Sequence, residues 1–99
     1  MTLKEEILNF LSENKDDFFT RFNLTKIGLF GSIANGNDTQ SSDIDLLVEF
    51  KPNTESLSHK RWEIRSILSE KFNRKVDIAT EKYLKSYVRE YIINFTIYV

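Results

Sequence analysis

The chain contains no cysteine in its 99 residues, which excludes a disulfide framework and a thiolate metal site. It also lacks a long apolar run, so nothing in it resembles a signal peptide or a membrane-spanning segment. Neither sign of charge dominates, because 14 basic residues stand against 15 acidic ones and the formal net charge is -1. Nonspecific binding of DNA or RNA relies on a basic field, which this balance does not supply. We therefore expect a cytoplasmic protein with no membrane contact and no stable nucleic-acid binding.

Proline and glycine are scarce, with one and three copies, and no repeat or low-complexity linker divides the chain. Hydrophobic residues make up 40% of the sequence and charged residues 29%, which is typical of an ordered globular protein with a core. A chain of this length buries enough surface to fold alone, though without much margin. We expect one domain over residues 1–99.

Helical spacing of apolar residues predicts four helices. The first begins at a Thr2–Glu5 capping box and runs to about Ser12, and a short second one, capped by Asn14, carries three phenylalanines. A third spans about Ser56 to Phe72. The last is predicted to have an apolar face made of Leu84, Tyr87, Val88, Tyr91 and Ile92. Tyr83, Tyr87, Tyr91 and Tyr98 are expected mainly to pack on or flank the core, although tyrosines here would also suit a protein interface.

Short apolar runs predict strands at 26–30, 43–50 and 76–79, and residues 95–99 are expected to form an edge strand or an irregular tail. The order of elements predicts an α/β (α+β) fold, in which helices flank a small mixed sheet. Its central strands are expected to hold Leu29, Ile44, Leu46 and Ile78.

The stretch "GLFGSIANGNDTQSSDIDLLVEF", residues 28–50, places two glycines and two alternating aspartates between apolar runs. Successive side chains of a strand point to opposite faces, so Asp43 and Asp45 are expected to project together while Ile44 projects into apolar packing. Two like charges at this spacing repel unless a cation sits between them, and hard carboxylate oxygens suit Mg²⁺. The pair therefore predicts a divalent metal site.

Gly31 and Ser32 stand where the first strand is expected to give way to a helix. Glycine permits close approach of the backbone, and free N–H groups at a helix start, helped by the Ser32 hydroxyl, bind phosphate. Ser42 has two open roles, a donor to phosphate or a cap at the start of the next strand. A P-loop is excluded, because Asn37 follows Gly36 where that motif requires lysine.

Asp77, within "KVDIAT", is the other aspartate embedded in a predicted strand, and it can supply a third carboxylate. Three aspartates on adjacent strands would hold two cations about 4 Å apart, one on a triphosphate and one lowering the pKa of an attacking hydroxyl. This is the chemistry of nucleotidyl transfer.

The sequence "GSIANGNDTQSSDIDLLVEF", followed by a strand aspartate, resembles the DNA polymerase beta-like nucleotidyltransferase superfamily and, more narrowly, the minimal nucleotidyltransferases. The resemblance implies an antitoxin that transfers AMP from ATP to a tyrosine of a cognate HEPN ribonuclease toxin, forming a hetero-oligomer with it. In that scheme Asp43 and Asp45 ligate two Mg²⁺ ions, while Asp77 ligates the catalytic one and helps deprotonate the acceptor. Gly31 and Ser32 hold the triphosphate.

The chain departs from the family pattern at Asn35, where the family commonly has arginine. Loss of that charge keeps a second hypothesis open, a nucleotidyltransferase fold that neutralises its partner by binding alone. Transfer to a small molecule would need an acceptor-binding part that only a dimer could provide. His59 is expected to be solvent-exposed, and Trp62 to be a rim residue or a partner contact.

Overall fold

The computed structural model describes residues 1–99. Its helices are α1 (Leu3–Glu13), α2 (Lys15–Phe22), α3 (Gly31–Asn35), α4 (Leu57–Phe72) and α5 (Ser86–Asn94), with a 3₁₀ turn at Glu81–Tyr83. The strands are β1 (Leu24–Phe30), β2 (Ile44–Phe50), β3 (Val76–Thr80) and β4 (Ile97–Tyr98). No helix of this chain has the length and apolar content that crossing a bilayer requires.

The four strands form one mixed sheet in the order β3-β2-β1-β4, which confirms the predicted fold class. Strand β1 pairs antiparallel with both β2 and β4, whereas β2 and β3 run parallel. The parallel pair needs a crossover, and α4 supplies it. Because β2 is an inner strand, Leu46 and Leu47 are both fully buried although they point to opposite faces.

The core lies on the sheet face that α1, α2 and α4 cover. It joins Ile44, Leu46 and Val48 of β2 to Ile7 and Leu11 of α1, Phe22 of α2, and Ile64 and Leu68 of α4. The start of α1 and the end of α4 follow local chemistry as predicted. Thr2 and Glu5 form the capping box at α1, and Asn73 ends α4 with a left-handed φ of 52°.

Several boundaries differ from the predictions. Strand β2 begins at Ile44, so Asp43 directly precedes the strand that was expected to include it. Strand β1 begins two residues early, at Leu24, and residues 97–98 form the edge strand. The Asn14 side chain does not cap α2, because it donates instead to the Phe10 carbonyl at 2.8 Å. Ile78 is only partly buried, since β3 is an edge strand of the sheet rather than a central one.

The prediction for the C-terminal aromatics was wrong. Helix α5 has no buried residue, and Leu84 lies before it. Tyr83, Tyr87 and Tyr91 are 63%, 78% and 64% exposed. Helical spacing identifies the residues that share a face, but it does not tell whether another element covers that face.

Candidate active site

The turn between β1 and α3 brings the backbone of Gly31 against the side chain of Asp45. Gly31 has a φ of +81°, a left-handed conformation that suits glycine, and a Cβ placed there would overlap Asp45 Oδ2 and lie 3.0 Å from Asp45 Cγ. Asp45 is paired across the sheet with Phe30, the last residue of β1. Both the conformation and the close approach require glycine at this position.

Asp45 and Asp77 are register partners on the parallel strands β2 and β3. Directly opposed residues of neighbouring strands project from the same face of a sheet, so the two carboxylates share a face. Asp43 lies two residues before Asp45, next to the start of β2, and its side chain is 36% exposed. The structure therefore brings the three sequence-predicted aspartates to one end of the sheet.

The electrostatics of Asp45 reflect this crowding. Burial raises the pKa of its carboxyl above the usual value of 3.8, and the neighbouring carboxylates of Asp77 and Asp43 raise the pKa further. One compensating charge is near, since Lys75 Nζ lies 3.9 Å from Asp43 Oδ2. The Lys75 side chain is 73% exposed, which makes this a weak surface ion pair.

Ionised carboxylate oxygens are hard ligands of the kind that Mg²⁺ prefers, and a cation between them would relieve the repulsion that raises the pKa of Asp45. The three aspartates do not converge into a complete cage, however, and no group of three or more His, Cys, Asp or Glu side chains is arranged closely enough to hold a metal ion. A ligand that brings oxygens of its own, such as a triphosphate, would complete the coordination that the protein leaves open.

The loop that leads to Asp43 is held in place by Arg74, a residue that the sequence analysis missed. Arg74 Nη1 donates to the carbonyls of Ser42 at 2.7 Å and Thr39 at 3.0 Å. The Ser42 hydroxyl accepts from the Thr39 backbone N–H at 2.8 Å, so Ser42 orders the loop just before β2. No short-range pattern signals Arg74, because its partners lie 32 and 35 residues away.

A cleft of about 410 Å³ lies beside the Gly31–Ser32 turn. The β1–α3 region contributes Phe30, Ser32, Asn35 and Asn37 to its wall, and α5 contributes Tyr91, Ile92 and Phe95. The rings of Tyr91 and Phe95 pack with their centroids 4.8 Å apart. Asn35, the residue at which the sequence departs from the pattern it resembles, thus lines a cleft next to the predicted phosphate-binding turn.

A second cleft, of about 560 Å³, opens between α4 and the edge strand β3, and we call it the edge cleft. Its polar wall consists of Arg65, Ser66, Ser69, Glu70, Lys75 and Asp77. A third cleft, of about 590 Å³, lies at the other end of β2, and none of the three aspartates lines it.

His59 and Trp62 lie away from these carboxylates. His59 is 65% exposed and pairs with Glu63 at 2.7 Å, and its ring stacks on Trp62 at a centroid distance of 5.8 Å. Trp62 is 55% exposed. The structure thus confirms that His59 is solvent-exposed, and it places Trp62 at the surface.

Comparison with known proteins places these features in a family. Residues 4–99 match the family described as "Nucleotidyltransferase domain". Protein adenylyltransferase MntA of Thermococcus cleftensis is 31% identical over 99 residues, which span all of this chain and 98% of that protein. A Methanocaldococcus jannaschii protein, provisionally named a protein adenylyltransferase, is 34% identical over the full length of both chains.

Solved structures show the same fold. One that is provisionally described as a minimal nucleotidyltransferase has a TM-score of 0.75 and 27% identity, with coverage of 93% of this chain and 92% of that one. A toxin-antitoxin crystal structure with AMP-PNP has a TM-score of 0.68 and 22% identity, with coverage of 98% and 72%. The second likeness concerns the fold alone.

Proposed function

Because the chain belongs to the nucleotidyltransferase domain family, we propose that it is an antitoxin that transfers AMP from Mg-ATP to a hydroxyl side chain of a partner toxin. The expected acceptor is a tyrosine of a HEPN ribonuclease, and residues 1–99 form the catalytic unit. The observation that carries the proposal is the contact of Gly31 with Asp45, whose register partner is Asp77. A turn suited to phosphate thereby lies next to two carboxylates on one sheet face.

Each site residue has a role in this proposal. Asp43 and Asp45 hold two Mg²⁺ ions, and Asp77 holds the catalytic one. Gly31 and Ser32 bind the triphosphate through backbone N–H groups and a hydroxyl, and Ser42 either donates to a phosphate or only orders its loop. When bound, the ions neutralise phosphate charge and lower the pKa of the attacking hydroxyl.

The transfer itself is a displacement at the α-phosphorus. The acceptor oxygen forms a bond to that phosphorus while the bond to the bridging oxygen of the β-phosphate breaks, and pyrophosphate leaves. Asp77 helps to remove the proton of the acceptor hydroxyl. The carboxylates therefore act by positioning and by charge, and no covalent intermediate with the protein is needed.

Two further observations bear on the partner. The exposed rings of Tyr83, Tyr87, Tyr91 and Phe95 give the C-terminal region an aromatic surface of the kind that protein interfaces use. Proteins similar to this chain carry the name protein adenylyltransferase. Both support a protein acceptor held in a hetero-oligomer.

The alternative is a fold that neutralises its partner by binding alone, and the specific observation in its favour is Asn35. An arginine there would add a fixed cation to the cleft beside Gly31, where the present side chain is neutral. Retention of the three aspartates argues against this alternative, because grouped carboxylates without a cation are costly.

The test is to incubate the purified protein with its co-expressed toxin partner, Mg²⁺ and each nucleoside triphosphate, and to measure intact mass. We expect the partner to gain AMP from ATP only with the divalent cation. Asp43→Asn combined with Asp45→Asn should abolish the gain and leave the fold intact, because the substitutions remove like charges. If the double variant neutralises the partner as well as the wild type, and the wild type adds no mass, binding alone is the function.

A further inference from the structure

The third cleft, at the end of β2 away from the aspartates, adjoins a fourth one. Their volumes are about 590 and 440 Å³, and Leu57, Thr80 and Tyr83 line both of them. Phe50, on the wall of the third cleft, lies five residues beyond Asp45 on β2, which corresponds to about 16 Å along a strand. None of the three aspartates lines either cleft, so the two clefts together form a surface separate from the proposed catalytic site.

Cations dominate the walls of these two clefts. Lys51, Lys82 and Arg89 line the third cleft, Arg61 lines the fourth, and Glu49 is the one acidic residue on either wall. None of the four cations forms an ion pair. We call the two clefts, with these four cations, the basic groove. Because its positive charge is not compensated within the protein, the basic groove favours an anionic ligand.

Two uncharged features of the basic groove also suit an anion. Thr80 is the one buried polar residue of the chain, with 7% of its surface exposed. Its hydroxyl forms no hydrogen bond within the chain, and no buried polar side-chain atom lacks a partner, so this hydroxyl is reached from the groove. Leu57 and Ser58, on the wall, begin α4, and the Ser56 side chain does not cap that helix. The free N–H groups of its first turn add partial positive charge there.

The form and surroundings of the basic groove indicate a segment of a protein as the ligand. Small-molecule pockets are mostly apolar and enclose their ligand, whereas these walls are mostly polar and extend over two adjoining clefts. Nucleic-acid binding relies on a broad basic field, which a chain with a net charge of -1 lacks. Tyr83, which lines both clefts, also belongs to the exposed aromatic surface of the C-terminal region. Aromatic residues and arginine are enriched in protein interfaces.

We propose that the basic groove binds an acidic segment of the partner protein and so holds the partner at a distance from the reacting groups. This inference rests on the proposed function for the identity of the partner, since it assumes a protein acceptor. Contacts remote from the aspartates add affinity for the partner and leave the nucleotide site unaltered. The four cations of the groove therefore determine which partner binds, and they take no part in the chemistry.

The first experiment measures binding without nucleotide or metal. Fluorescence anisotropy of a labelled polyglutamate peptide is titrated with the wild type, with Lys51→Glu combined with Arg89→Glu, and with the matched control Arg65→Glu combined with Lys71→Glu. All four positions are exposed, and both double variants change the net charge equally. Arg65 lines the edge cleft, and Lys71 lies over the Phe10 ring.

The wild type should bind polyglutamate, and the affinity should fall as salt is added. The Lys51→Glu, Arg89→Glu variant should bind at least about tenfold more weakly, whereas the control should stay within about twofold of the wild type. Equal binding by the two double variants would overturn the inference. Tighter binding of a single-stranded RNA than of polyglutamate, lost in the Lys51→Glu, Arg89→Glu variant alone, would also overturn it, because the ligand would then be a nucleic acid.

The second experiment separates failure of this inference from failure of the proposed function. AMP transfer to the co-expressed toxin partner is measured with the same proteins. Lys51→Glu with Arg89→Glu should raise the KM for the partner about tenfold and leave the KM for ATP unchanged. Selective polyglutamate binding without AMP transfer by the wild type would refute the proposed function and leave the groove as a binding site. Transfer with a partner KM that the substitutions do not change would overturn the groove and leave the proposed function.

Discussion

Gly31 lies against the side chain of Asp45, and this contact restricts position 31 to glycine. A side chain at Gly31 would collide with the Asp45 carboxylate, and the left-handed φ of +81° disfavours any other residue there. Burial and two neighbouring carboxylates raise the pKa of Asp45, so its ionised form is less favourable than that of an isolated aspartate in the absence of a cation. A pair of residues that served folding alone would avoid both costs. A pair that carries them is the pattern expected at a functional site.

The stability of the protein should depend on the charge of Asp45. Its pKa is raised in the folded state, so the folded state binds the proton more tightly, and stability falls as pH rises from about 3.8 through the folded pKa. Asp45→Asn removes the unfavourable charge. We expect it to raise Tm at pH 7 in chelator by about 2–5 °C, with a gain that shrinks as pH approaches 4. Melting curves across this range test the expectation.

Asp38→Asn is the matched control, because Asp38 is exposed in the loop before β2. It should leave Tm unchanged at every pH. A lower Tm for Asp45→Asn than for the wild type at pH 7 would mean that the carboxylate is a structural residue, contrary to its proposed role.

At the scale of elements, the sequence predicted what local chemistry determines. Alternating aspartates next to buried aliphatic residues identified β2, and Asn73 marked the end of α4. The exposure of α5 was not predictable in the same way, because the burial of Tyr87 depends on which distant elements cover it. Arg74 was missed for a related reason, because its role depends on hydrogen bonds to carbonyls that are distant in the sequence.

The Arg74 contacts should control the mobility of the loop before β2. Arg74→Ala leaves the Ser42 and Thr39 carbonyls without their charged donor, so we expect faster amide hydrogen exchange across residues 39–43 and unchanged exchange in β1. Hydrogen exchange with mass spectrometry measures this directly. Arg89→Ala, at an exposed position on α5, is the control. Unaltered exchange in the loop would show that Arg74 does not hold it.

At the scale of the whole molecule, one small sheet organises the proposed catalysis. The core is concentrated on the face covered by α1, α2 and α4, and the aspartates emerge from the other face at the end where α3 begins. The cleft next to Gly31 and Ser32 also uses residues of α5. Family membership and fold agree with this arrangement.

In the proposed mechanism, the three aspartates and the Gly31–Ser32 turn form one metal-dependent nucleotide site. Isothermal titration of the protein with an ATP analogue that cannot be cleaved between the α- and β-phosphates tests it without a partner. We predict binding in Mg²⁺, loss of binding in chelator, and affinity at least about thirtyfold weaker in Asp43→Asn with Asp45→Asn. Equal affinity in Mg²⁺ and in chelator, unchanged by the double substitution, would contradict it.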